Sequence, residues 1–135
     1  MIEENKDWYK FEGATDGEIN QLINAVDFEL PQKYLELLRF SNGGEGPLLV
    51  QPFNFVLDSI NDAISMLSVE HYQISSPDHF IFGGNGGGEL IAINVKTGES
   101  VSIDATNANL EEGSLLVAKC FEDFVKYIGV ESEQA

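Results

Sequence analysis

Three apolar runs follow one another between residues 80 and 104 with very little between them, and this spacing restricts the fold more than any other feature of the chain. Phe80-Ile81-Phe82 leads into Gly83-Gly84-Asn85-Gly86-Gly87-Gly88. Leu90 to Val95 follows, and a tight turn, Lys96-Thr97-Gly98-Glu99, leads to Val101-Ser102-Ile103-Asp104. Parallel strands need a crossover of roughly a dozen residues or more, whereas antiparallel strands are joined by short turns. These connections are too short for a crossover, so the segment reads as a meander of antiparallel strands. Leu90–Val95 is apolar enough to be covered on both faces, while Val101–Asp104 alternates as a half-buried strand does. The glycines allow a tight, positive-φ connection and close approach of the backbone.

On either side the period changes. Thr15 and Glu18 have capping-box spacing, and Ile19, Leu22, Ile23 and Val26 then form the stripe of a short helix. Leu30-Pro31 starts a second helix with Tyr34, Leu35 and Leu38 on its buried side, and Ser41-Asn42-Gly43-Gly44 closes it. Leu48-Leu49-Val50 and Phe53–Leu57 read as strands flanking Pro52, which marks an edge or a break. Ser59 to Asp62 opens a third helix whose apolar side is Ile60, Ala63, Ile64 and Leu67. Segment 70–78 is polar and reads as loop, as does 105–114. Leu115-Leu116-Val117 is one more short strand. Phe121, Phe124, Val125 and Ile128 line a last helix closed by Gly129, with a frayed tail after it. Trp8, Tyr9 and Phe11 read as a segment pinned onto the core, and Cys120 as a small buried apolar residue. The fold class is therefore α+β, a mainly antiparallel sheet with helices packed at both chain ends. The first and last helical stripes should both bury against a sheet containing residues 90–95.

At 135 residues the chain is expected to be a single domain, 1–135. Asp and Glu number 23 against 7 Lys and Arg, a net charge of −16. Binding to a phosphate backbone needs lysines and arginines, so such a balance excludes autonomous nucleic-acid binding. It also disfavours docking on anionic lipid. It suits a basic partner. No run approaches the roughly 18 apolar residues of a membrane span. The first residues lack the basic start and apolar stretch of a signal peptide, and one cysteine cannot pair internally. The expectation is a cytoplasmic protein.

The chain carries no motif of a nucleotide, metal or catalytic site. The glycine run fails the dinucleotide fingerprint, because the sixth position from Gly84 is Glu89 and a strand follows. It fails as a P-loop because a carboxylate stands where phosphate would sit. His71 and His79 are separated by a proline, and Cys120 is remote, which is poor spacing for a metal. Adjacent acids such as Glu111-Glu112 and Glu122-Asp123 read as solvated faces. No catalytic residue, metal or cofactor is expected.

Several segments together carry a family resemblance. Leu30-Pro31-Gln32-Lys33-Tyr34 followed by Asn42-Gly43-Gly44 resembles the "LP-x-x-Y…NGG" signature of the SUKH superfamily, typified by a fungal cell-wall assembly regulator. Leu57-Asp58-Ser59-Ile60 matches where that family passes from a strand into a short helix. Phe80 to Ile93 looks like its "hydrophobic-GG…GG-acidic" strand–turn–strand, and Phe121-Glu122-Asp123-Phe124-Val125 resembles its terminal helix. Glu89 stands where many members carry Asp, and Cys120 where Ser is common. The resemblance spans about residues 15–129 and implies an α+β fold without catalytic residues. It also implies a role shared by many bacterial members, immunity against toxin domains, often nucleases, of secreted polymorphic or contact-dependent systems.

The expected function is therefore that of an immunity protein binding a basic toxin domain. The alternatives are a regulatory or scaffold module of the cell-wall-regulator type, and an enzyme with a small pocket. The partner-binding candidates are acids in expected loops: Glu45 in the turn after the second helix, Glu89 beside the glycine run, and Asp104, Glu111 and Glu112 after the third meander strand.

Overall fold

The meander extends to seven strands in the computed structural model, which describes residues 6–69, 78–104 and 114–132. The elements run β1 (Tyr9–Lys10), α1 (Asp16–Ala25), α2 (Gln32–Phe40), β2 (Gly44–Pro47), β3 (Asn54–Leu57), α3 (Ile60–Leu67), β4 (His79–Gly84), β5 (Glu89–Asn94), β6 (Ser100–Asp104), β7 (Ser114–Ala118) and α4 (Phe121–Tyr127). Every neighbouring pair is antiparallel, and strand order in space follows order in sequence.

Local chemistry sets the helix starts. Thr15 Oγ1 accepts the Glu18 N–H while Glu18 Oε1 accepts the Thr15 N–H at 3.0 Å, a complete capping box. Ser59 Oγ accepts the Asp62 N–H and starts α3 in the same way. Pro31 stands just before α2, where its missing N–H costs nothing. Gly43 and Gly44, at φ 105° and 133°, turn the chain from α2 into β2.

Helices α1, α2 and α4 cover one face of the sheet, and α3 reaches both, with Ile60 and Ala63 in the larger core and Met66 against the smaller cluster. Phe55, Leu57, Phe80, Phe82, Ile91 and Ile93 point into a core shared with Ile19, Leu22, Tyr34, Leu38, Phe121 and Phe124. The opposite face carries a smaller apolar cluster of Ile81, Ala92, Val101 and Ile103, with Leu90 and Met66 packed against it. Ser100 to Ile103 are therefore all buried, where alternation had implied a half-buried β6.

The ends of the chain are tied together. The Asp7 N–H donates to Gly129 O at 2.9 Å, and the Gly129 N–H donates to Pro47 O at 2.8 Å. Leu48 bridges Ile128, and Leu49 N–H donates to Tyr127 O. Above this clasp the Trp8 indole donates to Ser41 Oγ at 3.2 Å and lies over β2. A Cβ on Gly44 would sit 2.6 Å from the Trp8 ring, and one on Gly46 2.8 Å from it, so β2 needs glycine.

Several expectations are corrected. Ile23 is 43% exposed, so the first stripe narrows to Ile19 and Leu22 with Val26 half-buried. Leu48-Leu49-Val50 is not a strand; Gly44–Pro47 pairs with β3 in its place. Of the aromatic segment only Trp8 packs on the core, while Tyr9 and Phe11 are exposed. Cys120 is exposed at the N-terminal boundary of α4. The segment 70–77 and most of 105–114 lie outside the described residues.

Phe124 is fully buried, with its ring 5.0 Å from Phe55 and 5.3 Å from Phe82. Phe124→Ala should lower unfolding free energy by about 3–5 kcal/mol, read from denaturant titration against the parent chain.

Candidate functional site

The β4–β5 connection is built from side-chain amides as much as from glycine. Asn85 Oδ1 accepts the N–H of Gly87 at 2.8 Å and of Glu89 at 3.2 Å. Asn54 Nδ2, on β3, donates to Asn85 O at 3.0 Å and to Glu45 Oε2 at 3.2 Å. Gly86 takes φ 81°, the positive value expected in this run. Two backbone N–H groups that a phosphate cradle would use are thus already engaged by Asn85.

This arrangement gathers acids at one end of the sheet. Glu89, the first residue of β5, pairs directly with Asp104, the last of β6. Like charges at directly opposed positions destabilise an antiparallel pair. Glu89 is half-buried, and its Oε2 is buried without a hydrogen bond. Glu45 is exposed in β2, not in a turn, opposite Tyr9 and Val56. It lies three strands from Glu89, about 14 Å at ordinary strand spacing. Alternation also puts it on the face of Val56, whereas Glu89 and Asp104 share the face of Ile91 and Ser102. The five candidate acids therefore do not form one cluster: Glu89 and Asp104 come together, and Glu45 stands apart on the same rim. Glu111 and Glu112 lie outside the described residues.

In the sequence Asp58 marks only the strand-to-helix junction Leu57-Asp58-Ser59-Ile60. It occupies the junction of β3 and α3, and its N–H donates to Phe82 O. The helix N-terminus beside it favours an anion. Burial nevertheless wins, and with Asp62 nearby it pushes the Asp58 carboxyl up to about 6. The Tyr34 hydroxyl, fully buried and without a hydrogen-bond partner, is pushed up by burial and by the Asp58 charge. The one available signal was an acid placed between the last apolar residue of a strand and a helix cap.

Two further surface features stand out. A groove of about 620 Å³ between α2 and α4 is lined by Lys33, Glu36, Arg39, Glu122, Val125 and Lys126. Its cations already have acidic partners: Lys33 with Glu36, Arg39 with Asp16 and Lys126 with Asp123. On β7, Leu115 and Leu116 are 56% and 55% exposed. Among the described residues no three His, Cys, Asp or Glu side chains are grouped to hold a metal, and no helix is long and apolar enough to cross a membrane. His71 lies outside those residues.

Compared with known families, residues 13–127 match the profile of the SMI1 / KNR4 family (SUKH-1). No curated protein matches the chain.

The raised Asp58 carboxyl has a definite effect on stability. Between the ordinary value of 3.8 and about 6 the folded state holds a proton that the unfolded chain releases, so unfolding free energy falls as pH rises through that window. The cost is complete above about pH 6, on the order of 1–2 kcal/mol after solvent screening. Asp58→Asn should therefore stabilise the fold by that amount at about pH 7.5 and change little at about pH 3.5, as measured by urea midpoints at the two values.

Proposed function

We infer the function from one premise: the chain belongs to the SMI1 / KNR4 family (SUKH-1). Proteins of this kind work through protein–protein contact. On that basis the chain is a one-domain immunity protein of the cytoplasm. It binds a secreted bacterial toxin domain, a nuclease, and neutralises it by covering the substrate cleft. It is not an enzyme and uses no cofactor.

The observation that carries this reading is the charge of −16, together with the paired carboxylates Glu89 and Asp104 on the sheet rim. A nuclease cleft must be basic to hold phosphates. An acidic rim is complementary to it and raises the rate of encounter. A domain of this size can supply the roughly 1,200–2,000 Å² of total buried surface that stable complexes use. Glu45, Glu89, Asp104, Glu111 and Glu112 are the acids assigned to the contact.

Steering acts on encounter and is screened over a Debye length of about 8 Å at physiological salt. Raising salt from about 0.05 M to about 0.5 M should slow association with a basic nuclease toxin domain tenfold or more and leave dissociation nearly unchanged. Glu45→Gln should lower the on-rate modestly. Loss of a carboxylate that is buried and paired in the complex, tested by Glu89→Gln, should weaken affinity by about 2–5 kcal/mol. Stopped-flow association across the salt range reads both effects, and a rate indifferent to salt would leave the charge without a binding role.

A further inference from the structure

The two ends of the sheet are finished differently. β1 is two residues long and carries Lys10, a short and charged edge of the kind that discourages further pairing. β7, at the other end of the strand order, is five residues long and contains no charge: Ser114-Leu115-Leu116-Val117-Ala118. Val117 and Ala118 are buried, but Leu115 and Leu116 are each more than half exposed. Consecutive strand residues point to opposite faces, so both faces of this edge present a leucine. Among the described residues no strand pairs with its outer side. A neutral, leucine-bearing edge is what soluble sheets normally avoid.

We propose that β7 is a docking edge, to which a basic protein partner adds a strand through backbone pairing. The net charge of −16 selects a basic partner. Ile103 pairs with Ser114, so Asp104 lies just past the start of β7, and Glu89 lies beside Asp104 on the next strand. At ordinary strand spacing a strand laid along β7 lies two strands, about 10 Å, from Asp104 and three, about 14 Å, from Glu89, so a lysine or arginine at its end is attracted through the field of these carboxylates and not by direct pairing. Leu115 and Leu116 take the apolar side chains of the added strand, one on each face. A second copy of this chain is a poor occupant. Each copy carries −16, so two copies repel where a basic strand is attracted. This assignment rests on the reading above that the partner is basic, and it names the element that partner engages.

The test uses two peptides of equal charge, one of alternating lysine and valine, the other with some valines replaced by proline, titrated into the full chain at about 0.05 M salt. Nitrogen-15 NMR shifts and hydrogen exchange report where each binds. The alternating peptide should shift and protect residues 114–118. The proline peptide, which cannot form the ladder, should bind about tenfold more weakly. The exposed double variant Leu115→Thr/Leu116→Thr keeps strand propensity. It should melt as the parent does and lose affinity for the alternating peptide about fivefold or more. Equal binding of the two peptides, or protection elsewhere, would overturn the docking edge and leave the basic-partner reading standing. No binding of either peptide would overturn both. Sedimentation showing dimers that the threonine variant abolishes would assign the edge to a second copy and overturn the proposal.

Discussion

Phe82 lies against four other rings, Tyr34, Phe55, Phe121 and Phe124, at centroid separations from 5.3 to 5.7 Å and tilted or edge-on geometry. These rings come from α2, β3 and α4, so one side chain of a central strand fixes two helices and a neighbouring strand at once. Aromatic pairs in such arrangements contribute roughly 0.5–1.5 kcal/mol each beyond the area they bury. The rest follows from this cluster. Tyr34 is held so deep that its hydroxyl has no partner. The backbone of Phe82 also receives the Asp58 N–H, which anchors the start of α3.

What could be read from the sequence was what depends on near neighbours. The capping box at Thr15 and Glu18 and the antiparallel meander through residues 80–104 are local, and each formed as its pattern implies, whereas α2 ends on an extended Ser41 and not on the glycines expected to close it. Gly44-Glu45-Gly46-Pro47 has almost no strand propensity and was passed over for the apolar run next to it. It forms β2 by pairing with β1 and β3, and the Trp8 ring lies on it where a Cβ would not fit. That is a contact across more than thirty residues, which no local pattern records. Ile23 sits at the margin of the α1 stripe, where a short helix needs only Ile19 and Leu22 inside.

The candidate site was less legible. Listing acids in loops selected Glu45, Glu89 and Asp104, but which of them meet depends on strand register. Register puts Glu89 against Asp104 and separates both from Glu45. Asp58 escaped because its character comes from burial, which a sequence of mostly exposed acids does not reveal. Leu115 and Leu116 were read as ordinary strand residues. Their significance appears only once β7 is seen to end the sheet.

The hydrogen bonds that join Asp7, Pro47 and Gly129 turn an open meander into a closed circuit. α4 leaves the far edge at β7 and returns across the helix face, and Ile128 and Gly129 meet the near edge beside the entering N-terminal segment. Chain ends in most domains fray independently of the core. Here residues 7 and 129 hold each other, so neither can peel away without releasing the other and loosening Pro47 as well. The segments around Asp7 and Gly129 therefore belong to the same cooperative unit as the sheet. Amide exchange at Asp7 and Gly129 should follow the opening of the sheet and not local fraying.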